Sequence, residues 1–336
     1  MLTKLTSILT SPIADLTVPE FTSGEVRAVM ILAAFAVLFV LEARFGYRKN
    51  TAKTVRRSYL SNTGTFILND TLMSLLSVSS LLLVVEHYAG TGLLGPISSP
   101  FWKAAASLIL LDLTLYLWHR ANHAFEWLWM LHKVHHSDRS MNVSTAFRLH
   151  FVEVLLTTVV KAIYIAVTGV DTAILLANEA LITLNVMFHH ANLAFRGENW
   201  LGRLLIVPYL HRVHHSTRRE EHDHNYGALF SVWDRMFGTL AELEPAEIGL
   251  KQVEAQNFLE LVKFGLTRAG SPSSQSLSLQ AMIAEAAYYR AEKRGFAPGC
   301  DFLDWLEAEK EIKARVNRTG SRSTNKPKRR GCSVPG

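Results

Sequence analysis

Residues 112–142 read DLTLYLWHRANHAFEWLWMLHKVHHSDRSMN and carry five histidines, His119, His123, His132, His135 and His136. The first two are four residues apart, and the last three fall at i, i+3 and i+4. On a helix those spacings stack the rings one turn apart along a single face. PYLHRVHHS repeats the pattern as His211, His214 and His215, and the pair His189-His190 comes shortly before it. Neutral imidazole is the commonest metal ligand, so each group is a chelating surface. Surface or capping histidines would explain one such group, but three in one chain point to a metal site.

Outward from this stretch the chain is apolar. Of 336 residues 49% are hydrophobic, and mean hydropathy is positive. The apolar residues collect in runs of membrane-spanning length near 27–45, 64–86, 102–119, 152–169 and 172–190. The expected fold is therefore all-α: a polytopic membrane helical bundle with a histidine-caged di-metal cap and a small helical C-terminal module. Lys4 is the only early basic residue, and Pro12, Asp15 and Pro19 interrupt any signal-peptide core. The first span is expected to be retained.

Basic residues fix an expected orientation. Arg44, Arg48, Lys49, Lys53, Arg56 and Arg57 follow the first run, as in a cytoplasmic loop, whereas 86–100 and the turn at Gly169-Val170-Asp171 contain no Lys or Arg. The histidines then lie at the cytoplasmic face. The net charge of +6 is better explained by membrane orientation than by nucleic acid. Cys300 and Cys332 form neither a CxxC knuckle nor a disulfide framework. Gly90, Gly92 and Gly95 match GxGxxG, but Pro96 and a polar loop follow where a nucleotide site needs a helix, so a turn-rich loop is expected.

Carboxylates inside spans are costly and tend to face the interior. Asp112 lies two turns before His119 and Glu179 three turns before His190. Each is expected to orient a ligand imidazole, against the blander alternative of an interhelical hydrogen bond. Lys161 is expected to snorkel or pair. His222 and His224, among acidic residues, read as solvated. The remaining boundaries are an N-terminal segment with two spans (1–100), a histidine-box domain with three more (101–245), an amphipathic helix and linker (246–270), a helical module (271–316) and a disordered basic tail (317–336).

The expected ligands are His119, His123, His132, His135, His136, His190, His211, His214 and His215. Nine exceed the needs of one ion, so two metals are expected. Imidazole alone does not choose among iron, copper, zinc and nickel. A cage beneath apolar helices can reach a lipid, however, and unactivated C–H bonds call for dioxygen at reduced iron. No haem-attachment motif, iron–sulfur cysteine set or flavin fingerprint is present. Electrons would then come from a separate protein, a ferredoxin, cytochrome or reductase.

HRANH, HKVHH and HRVHH, with the flanking DLTLYLWHR, HHSDRSMNVSTAFRLHFVE, HHANL, NYG and WDRMFGT, resemble the fatty acid hydroxylase (sterol desaturase) superfamily over residues 100–240. The resemblance implies a membrane di-iron oxygenase acting on lipids. Carried over by position, it makes the nine histidines the ligands, with His190 rather than His189 at the isolated position. It sets Asn142, Arg148 and His150 at recurrent positions near the site. Where some members have a further histidine, Asn185 or Val186 stands here, and His150 becomes a candidate for that vacancy. IAEAAYYRAEKRGFAPGCDFLDWLEAEKEI (283–312) is similar to a short bacterial helical module of unknown function, which favours a bacterial source.

Three functions are then open: a lipid hydroxylase, with desaturation as its variant, a histidine-rich metal carrier or sensor, and a scaffold with vestigial histidines. A nine-ligand cage at helix ends holds metal too firmly for a carrier, and intact boxes argue against a scaffold. An acyl chain or aminolipid is the favoured substrate.

Overall fold

A computed structural model describes residues 23–75, 81–251, 253, 256–267, 274–296 and 298–323. The chain divides into two compact units, Met1–Ala269 and Gly270–Gly336. Among the described residues the first is all helical apart from two isolated β-bridges, Leu205 with Phe230 and Ser216 with Ile248.

Its helices are α1 (Ser23–Phe45), α2 (Ala52–Leu75), α3 (Leu81–Tyr88), α4 (Pro100–Ala124), α5 (Glu126–His136), α6 (Phe151–Thr168) and α7 (Thr172–His190). Shorter ones follow: α8 (Glu198–Leu201), α9 (Pro208–His214), α10 (Arg219–His222), α11 (Val232–Met236) and α12 (Phe258–Phe264). A 3-10 turn, Val143–Phe147, precedes α6. Four helices are long and apolar enough to cross a membrane, α1 from Glu25, α4, α6 and α7. Leu32, Val37, Ile109, Val159, Ile163 and Leu181 point outward from them, as lipid-facing side chains do. This is a multi-pass membrane chain.

The second apolar run, 64–86, falls on the later part of α2 and on α3, and 76–80 lie outside the described residues. The first part of α2 carries a buried polar face of Ser58, Ser61, Asn62, Thr65 and Asn69. Asn69 donates to the Leu149 carbonyl at the start of α6, while Leu94, just beyond α3, donates to Thr168 at its end. The two pieces therefore meet opposite ends of α6. The glycines of the 90–95 loop make a turn. A Cβ on Gly92 would lie 2.3 Å from the Thr168 backbone, and Gly169 caps α6 with φ of 65°, so two backbones meet where side chains would not fit.

α1, α4 and α7 end, and α2 and α6 begin, at one end of the bundle, as the contacts of Tyr47 with Asn192 and of Ser58 with Asp138 show. All the histidine boxes lie there. Segment 246–257 is not helical among its described residues: Ile248 bridges Ser216, and only Phe258–Phe264 turns, capped by Asn257 and Glu260.

The second unit is a hairpin of α13 (Ser274–Lys293) and α14 (Asp301–Ser323). Ile283, Ala308 and Ile312 form its core, and Arg290 pairs with Glu307 and Glu311. α14 continues to Ser323, into the tail expected to be disordered; 324–336, with Cys332, lie outside the described residues, as do residues 1–22.

Candidate metal centre

The histidine boxes assemble because four elements end together. α4 brings His119 and His123, α5 brings His132, His135 and His136, α7 brings His190, and α9 with its cap residue brings His211, His214 and His215. The rings sort into two clusters. His119, His123, His132, His136 and His214 form one, and His135, His190, His211 and His215 form the other; in each, the ligand nitrogens lie within 4.8 Å of one another. Adjacent His135 and His136 diverge because successive residues on a helix point about 100° apart.

The nitrogens of both clusters fit metal ions. His119 Nε2 lies 3.1 Å from His132 Nε2, and His190 Nε2 lies 3.0 Å from His135 Nε2 and 2.9 Å from His211 Nε2. Two nitrogens bound at right angles to an ion, each at about 2.1 Å, are about 3.0 Å apart. His123 Nε2, His214 Nε2 and both ring nitrogens of His136 and His215 are buried without partners. Such groups are costly unless something inside the cage accepts them.

Five of the nine rings are held through Nδ1. His132 Nδ1 meets Glu153 Oε1 at 2.6 Å and His123 Nδ1 meets Asp223 Oδ1 at 3.0 Å. His119, His214 and His190 donate through Nδ1 to the carbonyls of Tyr226, His224 and Val186 at 2.8, 2.8 and 2.7 Å. Each bond fixes the tautomer that presents Nε2 to the cluster. Asp234 accepts from the Tyr226 and Gly227 amides and from Thr239, which sets the Tyr226 carbonyl against His119. Asn225, at φ of 56°, donates to Leu210 and Ala241 and starts that turn.

A buried polar network anchors α5. Asp138 accepts from Ser58, Asn62 and Thr145, while Arg148 reaches the Val134 carbonyl, Ser137 and Asn62. Burial alone would raise the Asp138 carboxyl, but the Arg148 guanidinium and these donors hold it below its ordinary value. Asn142 belongs here too, capping the 3-10 turn and donating to Ser58; it makes no bond to an imidazole.

Three other expected residues stand elsewhere. Asp112 does not orient an imidazole: it accepts from the Leu229 and Phe230 amides and from Trp233 Nε1, at 2.8, 3.0 and 2.8 Å. It shares His119's face of α4, but the 229–233 segment covers it first. His150 does not fill the vacancy, since it caps α6 through Nδ1 and its Nε2 meets the Val262 carbonyl at 3.2 Å. Glu179 pairs with Lys161 at 2.7 Å. His222, expected to be solvated, is buried and stacked on Trp129, with Nδ1 on the Ser216 carbonyl. His189 is also buried, its ring tilted against that of His211, outside both clusters.

Glu153 and Asp223 are the residues that sequence reasoning missed. Glu153 offered a signal like that of Asp112, a carboxylate within an apolar run, here at its start. Asp223 offered none, since its partner is 100 residues away.

Removing Asp112 tests its anchoring role. Asp112→Ala would strip two amides and an indole N–H of a buried acceptor, at about 1–3 kcal/mol each. Thermal unfolding should show a loss of at least about 3 kcal/mol, and metal content should fall with it. Unchanged stability would contradict the assignment.

Burial, with neighbouring imidazoles adding to it, holds His135, His136, His211, His214 and His215 well below the ordinary histidine value. The unfolded chain takes up protons at these positions below about pH 6.5, and the metal-free folded chain does not. Metal-free protein should therefore lose stability as pH falls through about 6.5, by up to about 1.4 kcal/mol per pH unit for each histidine. Above about pH 7 the curve should be flat. A melting temperature that did not change between pH 7 and pH 5 would count against it.

Residues 104–239 match the profile of the fatty acid hydroxylase family, and residues 278–314 match that of a family of unknown function, DUF2934. The histidine-bearing segment belongs to the fatty acid hydroxylase family. The chain is 27% identical over 172 residues to ornithine lipid hydroxylase OlsE of Rhizobium tropici, covering 50% of this chain and 52% of that one. It is 33% identical over 146 residues to alkylglycerol monooxygenase of Caenorhabditis elegans, covering 43% and 28%. It is 28% identical over 151 residues to human cholesterol 25-hydroxylase, covering 40% and 49%. The chain thus spans between about a quarter and about half of these relatives. No solved structure matches it.

Proposed function

We propose that this chain is a membrane-bound di-iron oxygenase that hydroxylates an unactivated C–H bond of a lipid. The observation that carries the reading is one cavity of about 310 Å³ whose wall includes His119, His132, His135, His190 and His211 at one end and Leu115, Ile182, Val186 and Met187 beyond. A lipid chain in that cavity would lie against both histidine clusters. Iron there would supply reduction of dioxygen to an oxidant able to attack such a bond. The chain's own residues do the rest. Nine imidazoles, His119, His123, His132, His136 and His214 with His135, His190, His211 and His215, would hold two ions. Glu153 and Asp223 set two of the rings, and the apolar wall excludes water from the reacting carbon.

Arg48, Lys49 and Arg56 line a pocket with Asn142 and Asn192 at the histidine end of the bundle, which supports placing that end at the cytoplasmic side of a bacterial inner membrane. A separate ferredoxin, cytochrome or reductase would deliver the electrons. The similarity to an ornithine lipid hydroxylase favours an aminolipid or acyl chain.

The test joins metal analysis of the purified protein with lipid mass spectrometry of cells with and without the gene. Bound iron and a lipid heavier by one oxygen are expected. A lipid lighter by two hydrogens would mean desaturation instead. Protein without iron, together with unchanged lipids, would overturn the proposal.

A further inference from the structure

The cavity holds polar groups that a hydrocarbon chain would leave stranded. Lys161 on α6 and Glu179 on α7 pair at 2.7 Å and both line it, with side chains about one-fifth exposed. Glu179 Oε1 is buried and has no hydrogen-bond partner. Asn122, also on the wall and almost wholly buried, leaves its Oδ1 unpartnered. An ion pair within membrane-spanning helices is costly and marks a polar pathway or partner. An unpaired acceptor adds to that cost. These two atoms are acceptors, as is the unpartnered Glu153 Oε2 beside His132 on the same wall, so what completes the cavity must donate.

Glu179 lies eleven residues before His190 on α7, about 16 Å along the axis at 1.5 Å per residue. Asn122 adjoins His123 at the near end. We infer that Glu179, held by Lys161, is the residue that selects the substrate: a lipid carrying an N–H or O–H donor about 16 Å from the carbon presented to the histidines, not a plain hydrocarbon or fully capped ester chain. Glu179 Oε1 accepts the donor while Oε2 stays on Lys161, and the chain between lies along Leu115, Ile182 and Val186. An amide-linked or amino lipid and a sterol alcohol share this chemistry. The inference rests on the cavity being the substrate chamber.

The experiment measures binding without turnover, on metal-loaded protein in detergent micelles without oxygen. Two probe pairs are used: N-palmitoylethanolamine against its N,O-dimethyl derivative, and cholesterol against its 3-methyl ether. In the unaltered protein the donor-bearing member of at least one pair should bind about tenfold tighter than its capped partner, and the pair that does so identifies the source. Glu179→Leu should abolish that preference and leave the capped probe's affinity unchanged. Glu179→Gln, which keeps an acceptor, should retain part of it. Equal affinities within both pairs would overturn the inference. So would a Glu179→Leu variant weakened equally toward both members, since that is the behaviour of a mere staple between α6 and α7. A protein that oxidised nothing would refute the oxygenase while leaving this preference readable, because binding is measured without turnover.

Discussion

His135→Ala is expected to abolish lipid oxidation and to lower bound iron by about one ion per chain, whereas His214→Ala should abolish oxidation with a smaller loss of metal. The asymmetry follows from how the rings divide. His135 belongs to a cluster of four, and His214 to a cluster of five. Removing one imidazole from four leaves three, a set that holds an ion only with other ligands filling the remaining positions; removing one from five leaves a full tetrahedral complement. His135 Nε2 also lies 3.0 Å from His190 Nε2, so its loss opens space on the cavity side of that cluster. Metal analysis after dialysis against a weak chelator, with lipid oxidation assayed on the same samples, would check it. Equal metal loss in the two variants would mean that the nitrogens do not divide as described.

That division was not legible in the sequence, although much around it was. Spacings of three and four announced helical faces, and the apolar runs announced the membrane helices. The same rules count nine ligands without telling which ion each serves. His135 and His136 are neighbours in sequence and belong to different clusters, because the HRVHH box meets α5 on two faces: His211 lies on the His135 side and His214 on the His136 side, with the His215 ring against both. Periodicity put Asp112 on His119's face correctly, but periodicity says nothing of a segment 117 residues later that arrives first. Polar α2 hid from the same reasoning. Its buried serines and asparagines look like a solvated face until Asp138 and Arg148 are seen to need them. What escaped is in each case a contact between distant segments, which depends on tertiary placement and leaves no local trace.

Glu153 is such a contact, and replacing it should give the second largest effect. Its Oε1 lies 2.6 Å from His132 Nδ1, both groups are buried, and its Oε2 has no partner. Its carboxylate fixes the His132 tautomer so that Nε2 faces the five-histidine cluster, and its charge makes that nitrogen a stronger electron donor. Outer partners of this type are worth about 10–100-fold in metal affinity or activity. Glu153→Gln keeps a hydrogen-bond acceptor and loses the charge, so it should sit near the tenfold end; Glu153→Leu loses both and should approach the hundredfold end. Metal affinity by chelator competition, and turnover at saturating metal, would separate weakened binding from altered reactivity. The order matters more than the sizes. If Glu153→Gln were as damaged as Glu153→Leu, charge alone would carry the effect; if neither changed affinity or rate, His132 would be held by packing between α5 and α6, and the carboxylate would have no part in the metal centre.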